Sequence, residues 1–506
     1  MTRVPGDRLG ARPSSRAMRW MVALVALLPL TLLTNDSELA FDVRTKGALL
    51  WLLCILPAWI YFRIPASRRP PLPIFPMVSA VYGVYYAIPG VMGAVNLAYN
   101  PNQVRITLLD PRVAFDLPMD IALWGWIMLL IGYAAVAAVR KVRRASEAAW
   151  PIQPLVPWLL RMLMVGIATD LARGVLYLPS PLVGAADFLG LLGRFAIATL
   201  LAINVRGHLT RQQRFIVLGG FAVDLLVLIS SGSIAQAMLF MLLLLVAQYT
   251  AGGRIRRGWL LAGAVAVVSA VAIKGILKDY RRQVWFTGVE LSVPNKAALM
   301  ATLVQNRVNS EGVVGTVVSG WETAVARSAT LDLLADVVQR TPRDIPYWGG
   351  HTYLSLVGLA VPRVLWPNKP TKTLGQDFGH RYSFIETWDT STSINVPFLI
   401  EFYMNFGMTG VLVGMFITGM IYRILDSLLN VPGQSILRSL ASLAILMPLL
   451  NIESDFSLVF GGIFLNAVAF YVVLRYLRSR IPAPEGVRPP VVLRPAAVAG
   501  TSLGRG

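Results

Sequence analysis

An all-α, polytopic membrane protein is the fold class this sequence predicts, and three observations predict it. The chain of 506 residues is 56% hydrophobic and only 14% charged, with a mean hydropathy of +0.61, whereas a soluble domain carries about a quarter charged residues. Apolar runs of roughly 18–22 residues, the length that crosses a hydrocarbon core, recur along it. Lys and Arg collect in the short connections between those runs and alternate in density from one connection to the next.

About 12 transmembrane helices are expected, near residues 18–34, 46–62, 73–95, 118–139, 155–172, 182–205, 214–230, 233–250, 257–278, 396–422, 436–451 and 456–477. The start, with Arg12 to Arg19 before Met21–Leu33, has the basic and apolar parts of a signal peptide. Asn35-Asp36-Ser37-Glu38 follows where a small-residue cleavage site would stand, so this segment reads as an uncleaved first span.

The charges then orient the spans. One set of connections holds Arg63, Arg68 and Arg69, then Arg140, Lys141, Arg143 and Arg144, then Arg206, Arg211 and Arg214, then Arg254, Arg256 and Arg257. The short connections of the other set hold only Arg44, Lys46, Arg105, Arg112 and Arg173. Positive residues favour the cytoplasm, so both termini are expected inside. The net charge of +20 is thereby explained by topology, and no nucleic-acid partner is expected. Residues 1–17 and 478–506 read as disordered cytoplasmic tails, 18–278 as a membrane region of nine spans and 396–477 as one of three. The single cysteine, Cys54, excludes a disulfide within the chain and a cysteine metal site. No repeat at a fixed period is visible.

Residues 279–395 break the pattern. They form one large loop between spans 9 and 10, outside the cytoplasm by the charge alternation. Ser319-Gly-Trp-Glu322 fits a capping box opening a helix that ends near Arg340, before Pro342. Leu331, Leu334 and Val338 form its apolar stripe, with Arg327 at the same helical phase. That guanidinium either pairs with a carboxylate or snorkels to water, or it faces a phosphate-bearing substrate. Asp332, Asp336 and Arg340 read as a solvated helix face. Next come Tyr347-Trp-Gly-Gly-His351-Thr-Tyr353, the short apolar run Leu354–Val361, which reads as interfacial or re-entrant, and Pro362-Arg363-Val-Leu-Trp366-Pro-Asn-Lys369-Pro370. Trp348 and Trp366 suit the headgroup level, with Arg363 and Lys369 beside them. Asp377, His380 and Arg381 follow. Glu401 and Asn405 then lie inside the apolar tenth span, where polar groups are costly and usually functional. Arg194 and Asp224, deep on neighbouring spans, are expected to pair.

At these residues the chain resembles the Wzy-type O-antigen and exopolysaccharide repeat-unit polymerases, within the O-antigen polymerase and ligase superfamily. The resemblance runs through Arg327, Gly349-Gly-His-Thr-Tyr353, Pro362-Arg363-Val-Leu-Trp366-Pro-Asn-Lys369-Pro370 and Glu401-Phe-Tyr-Met-Asn-Phe-Gly407, and covers residues 210–425. It implies a multi-pass enzyme of the bacterial inner membrane with a periplasmic loop. Such an enzyme joins undecaprenyl-pyrophosphate-linked oligosaccharide units, beside membrane lipid and with a flippase and a chain-length regulator as pathway partners. Related enzymes carry an Arg after a Gly-Ser turn between two middle spans. Here Ser230-Ser-Gly-Ser233 is followed by Ile234, so that Arg is missing and its phosphate-binding role is either absent or taken over by Arg281 or Arg282.

The chemistry this implies is inverting attack by a sugar hydroxyl on the anomeric carbon of a lipid pyrophosphate. Preorganised cations stabilise the leaving group, and Arg forks match its oxygens. The expected substrate-binding residues are Arg327, Arg363, Lys369, Arg281, Arg282, Arg381, Tyr353, Trp366 and Asn405. A base for the hydroxyl is expected from Glu401, His380 or His351, in falling order, with Glu401 alternatively only the partner of Arg327 or Arg363. No aspartate-rich or His-carboxylate cluster is visible, so neither metal nor cofactor is expected. The rival readings are a ligase using the same donor, a transporter or flippase of lipid-linked glycans, and a structural subunit of an export complex.

Overall fold

The computed structural model describes residues 15–27, 41–65, 68–92, 115–139, 150–173, 180–230, 240–241, 243–248, 251, 276, 280, 283, 293–327, 330–359, 366, 373–390 and 392–481. Every regular element among them is helical. In the first half these are α1 (Ser15–Ala26), α2 (Phe41–Arg63), α3 (Ile74–Tyr82), α4 (Ile88–Met92), α5 (Asp116–Val139), α6 (Ile152–Arg173), α7 (Ser180–Val205) and α8 (Arg211–Ser230). A π turn, Gly83–Ala87, joins α3 to α4. The second half holds α9 (Val293–Arg327), α10 (Thr330–Arg340), α11 (Leu354–Leu359), α12 (Leu374–Arg381), α13 (Phe398–Leu429), α14 (Ile436–Leu446) and α15 (Phe456–Arg480).

Seven helices among the described residues are long and apolar enough to cross a membrane: Asp42–Arg63, Ile74–Val91, Asp116–Ala138, Ile152–Arg173, Leu182–Val205, Phe398–Leu429 and Phe456–Arg480. Each coincides with an expected span. The 214–230 span is helical in α8 without meeting both criteria, and 436–451 is a shorter apolar helix, Ile436–Leu450. Most of the 233–250 and 257–278 spans lies outside the described residues.

Glycines set the closest helix pairings. A Cβ on Gly132 of α5 would stand 2.0 Å from the Phe416 carbonyl oxygen of α13, and one on Gly419 would stand 2.1 Å from that of Leu129. Gly166 of α6 also meets Gly193 of α7 backbone to backbone, with a Cβ on Gly166 2.5 Å from the Gly193 Cα. In lipid there is no hydrophobic drive between helices, so such backbone approach is a main source of their attraction. The buried face of α13 then carries Phe398, Leu399, Ile400, Met404, Val411 and Met415 into the core. Its far end is fixed by Asn430, which donates to the Leu72 carbonyl at 2.7 Å and accepts from the Leu72 N–H at 3.0 Å. Side-chain caps open the last two helices: Ser435 accepts from Arg438 N–H, and Asp455 from Leu458 N–H.

Two expectations for the long loop are corrected here. Ser319 does not open a helix; α9 runs through it as 35 residues with a break at Gly312 (φ 73°, ψ 169°). The Ser319 hydroxyl instead donates to Glu311 Oε2 at 3.1 Å. Nor is the acidic face of α10 solvated, because α10 packs against α5, α13 and the π turn. Asp332 and Asp336 are therefore buried beside Leu331 and Leu334. Arg340 pairs with Asp336 at 3.4 Å and donates to the Tyr382 carbonyl at 2.6 Å. Charge alone could not reveal this, since an i to i+4 pair looks the same on a wet face and a packed one.

Candidate functional site

The site grows from a fault in α13. Gly407 sits at φ 63° and ψ −151°, a backbone conformation that a side chain strains and a helix cannot continue. A Cβ there would also stand 2.7 Å from the Tyr347 hydroxyl. The break releases carbonyls from the helical ladder, and each needs a new donor inside the protein. The 346–353 segment supplies them. Trp348 N–H donates to the Met404 carbonyl at 3.0 Å and Gly349 N–H to that of Asn405 at 3.3 Å. The Asn405 side chain completes the join. It accepts from Gly350 N–H at 2.8 Å and donates to Thr352 Oγ1 at 2.9 Å and to the Glu401 carbonyl at 2.8 Å.

Gly349 and Gly350 both take positive φ, 60° and 87°, which turns the chain into the short helix His351–Tyr353. Tyr353 stacks on Phe406 with centroids 6.3 Å apart and packs against Phe402 and Phe456. Burial pushes its phenol well above the ordinary tyrosine value. Arg381, in the last turn of α12, donates to the Pro346 carbonyl at 2.9 Å, and its guanidinium lies 4.6 Å from the centre of the Trp348 ring. His351 is exposed and His380 half-buried on the same segments. Tyr347, Leu354, Trp366 and Phe406 are exposed apolar side chains.

Of the residues expected from sequence, Asn405, Tyr353, His351 and Arg381 therefore belong to one assembly around Gly407. Glu401 belongs to it differently. It is fully buried, and Oε2 accepts the Phe456 N–H at 2.8 Å, at the first turn of α15. A carboxylate is stabilised at a helix N-terminus, so Glu401 joins α13 to α15. Arg363, Lys369, Arg281 and Arg282 lie outside the described residues, as does the side chain of Arg327, whose backbone ends α9. No group of three His, Cys, Asp or Glu among the described residues could hold a metal ion.

Sequence reasoning missed two carboxylates. Asp170 of α6 shares Arg194 with Asp224: the guanidinium lies 2.8 Å from Asp170 and 3.3 Å from Asp224. A signal existed, since Asp170 is an ionisable residue inside an apolar span. Glu453, in the turn before α15, accepts from the Tyr85 hydroxyl and faces Asn395 Nδ2 at 3.5 Å. Nothing in its local sequence marks it, because Tyr85 is 368 positions away.

A family model described as a domain of unknown function, DUF8712, matches residues 175–480. No curated protein and no solved structure matches the chain.

Proposed function

The chain belongs to that DUF8712 family, and we propose that it is a polymerase of lipid-linked oligosaccharides in the bacterial inner membrane. It joins undecaprenyl-pyrophosphate-linked repeat units on the periplasmic side. One observation carries the reading: the 346–353 segment, which bears His351 and the exposed Tyr347 and accepts a hydrogen bond from Arg381 of α12, is hydrogen-bonded into a broken, apolar helix. A cation and polar groups beside an apolar helix suit a site where a lipid pyrophosphate meets its sugar. In a site short of water such cations stabilise the leaving pyrophosphate most strongly.

Asn405 and Gly407 hold the segment, and Arg381 contributes charge, with Arg327, Arg363, Lys369, Arg281 and Arg282 as further cations from the sequence. Both termini lie in the cytoplasm in this reading. A flippase supplies the donor and a chain-length regulator acts on the product.

The second reading, a transporter of the same lipids, is favoured by the Asp170–Arg194–Asp224 cluster, since transporters keep polar residues within their helical bundle. A glycan profile of a deletion strain separates the two. Single lipid-linked units accumulating outside the cytoplasmic membrane, restored to polymer by the wild-type gene and not by Arg363→Ala or Arg381→Ala, are expected. Units trapped inside would make the protein a flippase, and full-length polymer left on its lipid would make it a ligase.

A further inference from the structure

The reaction proposed above needs a proton acceptor, and Glu401 already has Oε2 held by the Phe456 N–H at the start of α15. Glu453 is half-buried, in the turn that precedes α15. The Ser454 carbonyl of that turn accepts the Phe398 N–H at 3.1 Å, which fixes it to the first residue of α13. The hydroxyls of Ser355 and Ser457 lie 2.8 Å apart and tie α11 to the start of α15. The turn and the Gly407 assembly therefore share one end of the bundle.

The π turn reaches the same turn through Tyr85. Extra residues of this kind in a helix often mark functional sites. Here the turn presents two tyrosines in succession. The Tyr85 hydroxyl donates to Glu453 Oε1. Tyr86 is fully buried, and its hydroxyl has no hydrogen-bond partner among the described residues. It follows directly after Tyr85, the residue of the π turn that meets Glu453. A buried hydroxyl without a partner is costly, and each such group calls for an explanation.

We propose that Glu453, Tyr85, Tyr86 and Asn395 form the acceptor site for a sugar hydroxyl, with Glu453 taking its proton. This assignment rests on the polymerase reading. The acceptor oxygen forms a bond to the anomeric carbon while its proton passes to the Glu453 carboxylate. The bond from the anomeric carbon to the pyrophosphate oxygen breaks, and its electron pair leaves on the lipid pyrophosphate. Glu453 then returns the proton to water. Tyr86 supplies a hydrogen bond to the bound sugar, and Tyr85 and Asn395 orient the carboxylate.

The test complements a deletion strain with Glu453→Gln and with Tyr86→Phe. It measures polymer formation on the strain's own lipid-linked units across pH, together with the thermal midpoint of each purified protein. Glu453→Gln is expected to lower the rate about 100-fold and to flatten its rise with pH. Tyr86→Phe is expected to lower it about tenfold. Tyr86→Phe removes only an oxygen without a partner, so a purely structural tyrosine would leave rate and midpoint unchanged or raise the midpoint. That variant keeps the test decisive if Glu453→Gln does not reach the membrane. Deletion that leaves polymer intact overturns the polymerase reading and this assignment with it. Deletion that abolishes polymer, with wild-type rates from both variants, overturns the acceptor site alone.

Discussion

Two polar regions of this molecule solve the problem of burial in opposite ways. Between α6, α7 and α8, Asp170, Arg194 and Asp224 satisfy one another, and both carboxylates are at most 5% exposed. The helices approach closely there, and a Cβ on Gly190 would stand 2.6 Å from Asp170 Oδ1. Around Gly407 the polar atoms are backbone groups freed by a broken helix, and a separate segment of chain satisfies them. The first region is closed, with its polar groups turned on one another. The second ends in side chains that face outward: His351, Tyr347 and Phe406. A chain spanning a membrane can tolerate irregular backbone only where protein or water meets its hydrogen bonds. The contrast therefore separates polar groups that hold helices together from those available to a ligand.

The comparison breaks most sharply at Arg194. Arg194→Leu strands two carboxylates in the bundle, and loss of about 3–5 kcal/mol is expected, read as failure to accumulate folded protein. The triple variant Arg194→Leu, Asp170→Asn, Asp224→Asn restores folding if the cluster is structural. Folded Arg194→Leu protein at wild-type levels would show that the cluster carries no such burden.

Asp332 sharpens the contrast, being a buried carboxylate outside the spans that makes no ion pair among the described residues. Burial pushes it up to about 7. Its folded value is thus above its unfolded one. The stability it contributes is full below the ordinary aspartate range and is lost as pH rises through about 7. Asp332→Asn is expected to stabilise the protein at pH ~8 by roughly 2–4 kcal/mol and to change little at pH ~4. Parallel unfolding curves for the two proteins across that range would contradict it.

Gly407→Ala is the smallest change. Strain at positive φ, added to the contact with Tyr347, costs about 1–3 kcal/mol. The expected readout is faster proteolysis within 346–353 while the rest of the protein stays resistant. Uniform loss of resistance would mean that the break is not a local device.

How much of this was legible in advance differs by residue. That Asn405 stands out could be read because a polar residue inside an apolar span is rare; that it meets the Gly349–Tyr353 turn could not. The sequence also marked Arg194 and Asp224 as partners, by depth alone. It misjudged Asp332 and Asp336, because exposure of a helix face depends on which neighbours cover it. It offered Glu401 as a base or as the partner of Arg327 or Arg363, and could not show that its carboxylate meets the first turn of a helix that begins 55 positions later.

By itself the sequence determined that the chain is helical and rich in apolar segments, and where seven helices long and apolar enough to cross a membrane lie. Those properties depend on local apolar length and composition, which any window of residues displays. The tertiary structure alone decided that 346–353 closes the break at Gly407, that Asp170 shares Arg194, and that Tyr85 meets Glu453. Each of those is a contact between residues distant in the chain, set by how helices pack and by which freed backbone groups must find donors.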